Sequence, residues 1–155
     1  MKTLLLCVAS LSLVAGATVH AEPDPAAMKL GQTCYALCMA CHGPDGTGLK
    51  AGDAVMAPTL VGSKLALGDP SVFAAIVLKG IKKEDTKYLQ VMLPLEASLD
   101  DEKLAAVMTY VRNSFGNKAA PITKEQVAAA RAQYKERKDP FSRAELEAFT
   151  KAAAK

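Results

Sequence analysis

Residues 34–43, CYALCMACHG, constrain this chain more than any other stretch. Cys38, Cys41 and His42 spell C-x-x-C-H, the attachment pattern of a c-type haem. Cys34, Cys38 and Cys41 also fall in a C-x3-C-x2-C spacing, which could hold a metal cluster through three thiolates. Either cofactor would dictate what the rest of the chain folds around.

The first residues bear on the choice. Met1-Lys2 gives a short positive start, Leu4 to Val19 is almost uninterrupted apolar sequence, and Val19-His20-Ala21 puts small residues where a signal peptidase reads. The run falls short of the roughly 20 residues of a membrane-spanning helix. Residues 1–21 are therefore expected to be a cleaved signal peptide, leaving 134 of the 155 residues. A periplasmic location and no membrane span in the mature chain follow; the rival is an uncleaved anchor. The three-cysteine spacing resembles the cluster-binding loop of radical S-adenosylmethionine enzymes. That implies a large barrel of alternating strands and helices in a reducing compartment, which an exported chain of this length, without the alternation, does not match.

Of two histidines, His20 leaves with the leader. With His42 alone, multi-histidine metal centres and bis-histidine haems are excluded, as are Ser-His-Asp hydrolases unless His42 itself serves. A zinc site of three Cys and one His is conceivable by type, but Cys41 and His42 are adjacent, and two neighbours rarely reach one tetrahedral ion. Charge separates little: without Lys2 there are 18 Lys and Arg against 16 Asp and Glu. No basic run interleaved with aromatics suggests nucleic acid, and Asp45, Asp53 and Glu96 show no paired-carboxylate pattern for acid–base chemistry.

Strand signals are nearly absent and helical ones recur. Met28, Leu30, Cys34, Tyr35 and Cys38 follow at three- and four-residue intervals, which predicts a helix over 26–40. The glycine-rich stretch 42–52 reads as a loop and 53–69 as an irregular continuation around Pro58. Asp69-Pro70 opens a helix to about Lys79, stopped by Gly80. Residues 81–97 carry no clear period. Asp100 caps the next helix, with Asp101 and Glu102 in its first turn, Leu104, Val107, Met108 and Val111 as its apolar stripe, and Gly116 at its end. Thr123–Gln126 and Ser142–Glu145 fit capping boxes, each opening an Ala- and charge-rich helix. The expected division is a haem domain over 22–117 and a helical C-terminal extension over 118–155. The core has few aromatics and no Trp, so it buries little by itself. A haem would supply the missing bulk, with Leu60, Leu65, Phe73, Ile76, Val77 and Val107 as candidate walls.

Over nearly all of 26–117 these residues resemble a class I (monohaem) cytochrome c of the exported bacterial type. In that family the first helix ends in C-x-x-C-H, as here at Cys38, Cys41 and His42. The resemblance implies an all-α cytochrome c fold, three to four core helices around one covalent haem c. It also implies thioether links from both thiols, with the His42 imidazole as one axial ligand to the iron. Gly31 and Tyr35 match a glycine and an aromatic of the family's first helix, and Val107 and Tyr110 match a pair on its last. Those two helices cross closely in the family, glycine letting the backbones approach. Pro58 matches the proline whose carbonyl receives the histidine's ring N–H, a bond that orients the imidazole and raises its basicity. "YLQVMLPL" followed by "LDDEKLAAVMTYVRNSFGN" resembles the family's Met-Pro loop and capped last helix, which implies Met92 as the other axial ligand. Leu93 intervenes between Met92 and Pro94, where the usual pattern has Met directly before Pro.

Other methionines compete with Met92. Met39 lies inside the attachment motif, Met28 at the far end of its helix, Met56 on the histidine side near Pro58, and Met108 on a stripe where methionine usually fills a core. Tyr35 and Tyr110 read as packing residues. Lys79, Lys82, Lys83 and Lys87 read as a solvated face or, functionally, as a docking patch for an acidic partner, interrupted by Glu84 and Asp85. Cys34 is expected to be a buried packing residue, with an intermolecular disulfide as the rival, so a monomer is expected and a dimer through Cys34 is the alternative. The resulting expectation is a periplasmic electron-transfer protein, not an enzyme, between redox protein partners such as a dehydrogenase, an oxidase or a reductase. Two rivals stay open. One is a haem enzyme or ligand sensor with an open distal site, supported by the Met92-Leu93-Pro94 departure. The other is a dedicated cytochrome subunit docked on a dehydrogenase or oxidase through residues 118–155.

Overall fold

A computed structural model describes residues 21–84, 87–88 and 91–152. The expected signal peptide, Ala21 apart, lies outside the described residues, as does Asp85. In chain order the described elements are helices α1 (Pro25–Cys34) and α2 (Ala36–His42), strands β1 (Lys50–Ala51) and β2 (Ala54–Val55), then α3 (Lys64–Leu67), α4 (Pro70–Lys79), α5 (Asp101–Asn113), α6 (Lys124–Gln133) and α7 (Arg143–Ala152). Among the described residues the fold is all-α apart from one short hairpin and isolated bridges.

The helix starts follow local chemistry. Asp69 and Asp100 each accept a backbone N–H in the first turn of α4 and α5, from Ser71 at 2.7 Å and Lys103 at 2.8 Å. Thr123 and Gln126 cap α6 reciprocally at 3.3 and 2.9 Å, and Ser142 and Glu145 do the same for α7 at 3.3 and 2.8 Å. Three local readings differ from expectation. The helix expected over 26–40 is two helices meeting at Tyr35, where the Cys38 N–H donates to the Tyr35 carbonyl at 2.8 Å, an i+3 bond that tightens the turn. The hairpin β1–β2 interrupts the expected loop, turning at Gly52 with φ 61°. The four-residue α3, capped by the Ser63 hydroxyl, is too short to produce a period in sequence.

Helix α4 is buried on all sides and divides the interior. Phe73, Ala74, Val77 and Leu78 face a main cluster shared with Tyr35, Leu104, Val107 and Met108. Val72, Ala75 and Ile76 face a second cluster with Ile81, Phe141 and Leu146. Residues of the extension enter both: Ile122, Val127 and Ala130 the first, Phe141 and Leu146 the second.

On the main cluster α1 crosses α5 at Gly31. A Cβ there would collide with the Ala106 carbonyl and lie 2.7 Å from Tyr110 Cβ, so only glycine permits this approach. Two buried polar side chains then fix the chain that leads to the site. Asn117 accepts from the Gly62 N–H at 2.9 Å and donates to Val111 and Leu60 carbonyls at 2.8 and 3.1 Å. Arg112 donates to the carbonyls of Ala66, Gly68 and Ala120 at 2.8, 2.9 and 2.7 Å, which satisfies a buried guanidinium through backbone oxygens.

Candidate functional site

Helix α2 carries Cys38 and Cys41 three residues apart, hence on one face, with His42 as its last residue. Cys38 packs at the margin of the main cluster. Burial, followed by the neighbouring Cys34 and Cys41, pushes its thiol up to about 11. Cys34 is half-buried against the same cluster, not enclosed as expected, and burial raises its pKa as well. The three cysteines are unbridged, and among the described residues no three His, Cys, Asp or Glu side chains gather as a chelating group.

His42 and Pro58 are brought together. Nδ1 of His42 lies 2.9 Å from the Pro58 carbonyl oxygen. A carbonyl only accepts, so Nδ1 carries the proton and Nε2 keeps its lone pair. Burial lowers the imidazole pKa, against the opposing pull of the Pro58 bond.

The intervening loop is folded back by its own backbone. Gly48 N–H donates to the His42 carbonyl at 2.8 Å, Leu49 N–H to Cys41 at 2.9 Å, and Leu60 N–H to Gly46 at 2.7 Å. Gly48, at φ 97°, sits so near the Ala57 carbonyl that a Cβ would lie 2.5 Å from its oxygen. Beneath the loop, Tyr35, Tyr110 and Phe115 form a trio with ring centroids 5.3–5.7 Å apart, and the Tyr35 hydroxyl donates to Gly43 at 2.8 Å.

Met92 arrives from the opposite part of the chain. It is half-buried and packs on both clusters. Its N–H donates to the Ile81 carbonyl at 3.2 Å, and its carbonyl accepts from the Ile81 N–H at 2.9 Å. Leu95 N–H continues the attachment to the Val77 carbonyl at 2.9 Å. Side chains alternate along such an extended pair. Leu93, the extra residue before Pro94, is accordingly turned outward and 66% exposed. Of the competing methionines, Met108 is enclosed in the main cluster, Met39 is exposed on α2, and Met56 bonds to Leu49 within the loop after His42. Phe73, Val77 and Val107 lie in the main cluster and Ile76 in the second, with Leu60 and Leu65 half-buried at their margins.

The donor set suits a haem c. Two thiols stand on one helical face beside an imidazole with its Nε2 lone pair available. A thioether lies on the same cluster as Cys38, and Leu60 shares that incompletely covered margin.

The lysine cluster is not as expected. Lys79 is 6% exposed and its ammonium contacts Glu96 at 2.6 Å, which removes it from any surface patch. Lys82 and Lys87 remain exposed, and Lys83 donates to the Tyr88 carbonyl at 2.6 Å. Glu84 turns to Arg143, accepting its backbone N–H at 3.2 Å at the start of α7. Arg131 was not singled out in the sequence. It reaches from α6 to Asp101 and to the carbonyls of Glu96 and Leu99. Its only signal was a charge next to Ala130 on the apolar side of that helix.

The family model for cytochrome c matches residues 28–115. The cytochrome subunit of fructose dehydrogenase from Gluconobacter japonicus is 31% identical over 104 residues, 63% of this chain and 21% of that protein. The chain thus spans a small part of that relative's length.

Proposed function

We propose that this chain, a member of the cytochrome c family with its covalently attached haem c, transfers electrons as a periplasmic carrier in which His42 and Met92 would hold the iron. The haem supplies the one-electron change between Fe(III) and Fe(II). The protein's work is attachment, orientation and exclusion of water. Cys38 and Cys41 would tether the ring, and the Pro58 bond would present Nε2 of His42 to the iron. Met92 would supply the second ligand to the iron. The observation that carries the reading is the position of Met92, half-buried on the cluster it shares with Cys38 and bonded through both backbone groups to Ile81. Two strong ligands would leave no open coordination position, which favours electron transfer over substrate chemistry. Among the described residues no helix is long and apolar enough to cross a membrane.

The spectrum of the oxidised protein tests this. Met92→Ala is expected to keep its covalent haem and lose the weak far-red methionine–iron band. It should also have a lower reduction potential and bind carbon monoxide or cyanide. Met56→Leu and Met108→Leu should do none of these. A band that survives in Met92→Ala sinks the ligand assignment, and rapid carbon monoxide binding by the wild type sinks the carrier reading.

A second reading has its own support. The relative from Gluconobacter japonicus is a dehydrogenase's cytochrome subunit, and a dedicated subunit would dock through a surface such as that of residues 118–152. Copurification of a dehydrogenase in fixed ratio with the intact chain, but not with a chain ending at Asn117, would favour this reading over a free shuttle.

A further inference from the structure

The segment that carries Met92 is gripped by residues lying beyond the span that the family model matches. Arg131, on α6, donates through Nε to Asp101 at 2.8 Å and through its two terminal nitrogens to the carbonyls of Glu96 at 3.0 Å and Leu99 at 2.9 Å. One guanidinium thereby holds residues 96–101, which join the Met92 segment to the start of α5. The Glu96 carboxylate also meets the buried ammonium of Lys79 at 2.6 Å. Farther along the extension, Phe141 N–H donates to the Gly80 carbonyl and its carbonyl accepts from Lys82 N–H, both at 3.0 Å. Ile81, between those bonds, is the residue to which Met92 is paired, so the extension backs the pair from the far side. Phe141 cannot drift: its side chain is fully buried, edge-on to Tyr134 and Phe149, with the Arg137 guanidinium 3.8 Å from its ring.

A loop that bears a ligand opens as a local unit, and its open population follows the local bonds that must break. Hydrogen bonds from a charged donor count most among these. We propose that Arg131 is a positioning residue which, together with the Phe141 bridge, holds the Met92 segment closed, so that the C-terminal extension sets how often the sixth ligand leaves the iron. This rests on the reading of Met92 as that ligand.

The test follows cyanide binding to the oxidised holoprotein by stopped flow, and the pH at which the weak far-red band disappears. Arg131→Ala is expected to bind cyanide about tenfold faster and to lose the band at a lower pH, since the charged bonds to residues 96–101 are gone. Arg131→Lys, which keeps the charge but not the three-way fork, should fall between. Val127→Ala supplies the control for general loosening: Val127 is buried on the same helix within the main cluster. It should lower the thermal midpoint yet leave the cyanide rate within about twofold of wild type. Equal acceleration in Arg131→Ala and Val127→Ala, or none in Arg131→Ala, overturns the proposal. If Arg131→Ala does not mature, Asp101→Asn takes its place, and an unchanged cyanide rate there overturns it equally. A band missing from the wild type, or surviving in Met92→Ala, topples the ligand reading and this proposal with it. A band lost in Met92→Ala while the Arg131→Ala rate stays at the wild-type value topples this proposal alone.

Discussion

Replacing Gly31 by alanine sets two effects of opposite sign against each other. Inside a helix alanine is favoured over glycine by about 1 kcal/mol. The added Cβ, however, would lie 2.7 Å from the Ala106 carbonyl carbon and from Tyr110 Cβ. Carbon atoms rest at about 3.5–4.0 Å, so α5 would have to retreat by roughly 1 Å. Neither obstacle is the end of a flexible side chain, which puts the cost at the upper end of the usual overpacking range, about 3 kcal/mol. The net expectation is a loss of about 2 kcal/mol. At an m-value of about 2 kcal/mol per molar urea, the unfolding midpoint falls by roughly 1 M. The measurement is urea unfolding of the holoprotein by far-ultraviolet circular dichroism, at equal haem content. Gln32→Ala, exposed on the same helix, should stay within about 0.5 kcal/mol of wild type. An unchanged or raised midpoint for Gly31→Ala would show that propensity outweighs contact, and the close α1–α5 crossing would be refuted.

A chain ending at Asn117 is expected to mature with covalent haem, because Cys38, Cys41 and His42 lie in the retained part. It should be far less stable, since each large buried side chain lost from the extension removes about 1.5–3 kcal/mol; absence of haem despite normal expression would contradict the division at 117. Cys34→Val should keep its haem, and the wild type should run as a monomer on a non-reducing gel; a dimer that collapses on reduction would defeat the packing role of Cys34. Glu145 is held at about 2, against an ordinary 4.5, first by the Arg137 hydrogen bond and then by Ser142. A carboxyl depressed in the folded state stabilises above its unfolded pKa and loses that contribution as pH falls. The thermal midpoint of the wild type should thus fall between pH 4.5 and about 2 more steeply than that of Glu145→Gln, and parallel curves would refute the link.

Helix boundaries were legible where one side chain decides them. Asp69 with Pro70, Asp100, Thr123 with Gln126 and Ser142 with Glu145 each act within three residues, so their effect is written beside them. The bond between His42 and Pro58 spans sixteen residues and came from the family resemblance, not from any local period. Lys79 reads as surface charge because its partner, Glu96, stands seventeen residues on, and an ion pair with one enclosed member leaves no trace in a charge run. Residues 118–152 were hard to place for a similar reason. Their apolar side chains are few and separated by alanine and charge. Phe141 belongs to no helix, yet becomes one of the most enclosed residues through backbone bonds to Gly80 and Lys82. Arg131 and Arg112 act chiefly on distant carbonyl oxygens, which every sequence offers everywhere.

The crossing of α1 and α5 also has a consequence in time. A chain is made from its N-terminus, at about 5–20 residues per second. The stretch from His42 to Asn113 therefore takes roughly 4–14 s to appear after the attachment motif is complete. Throughout that interval the helix that will pack across Gly31 does not exist, and the cluster that half-covers Cys34 and Cys38 cannot close. Until α5 is present, three neighbouring thiols stand without the cover that the folded cluster gives two of them.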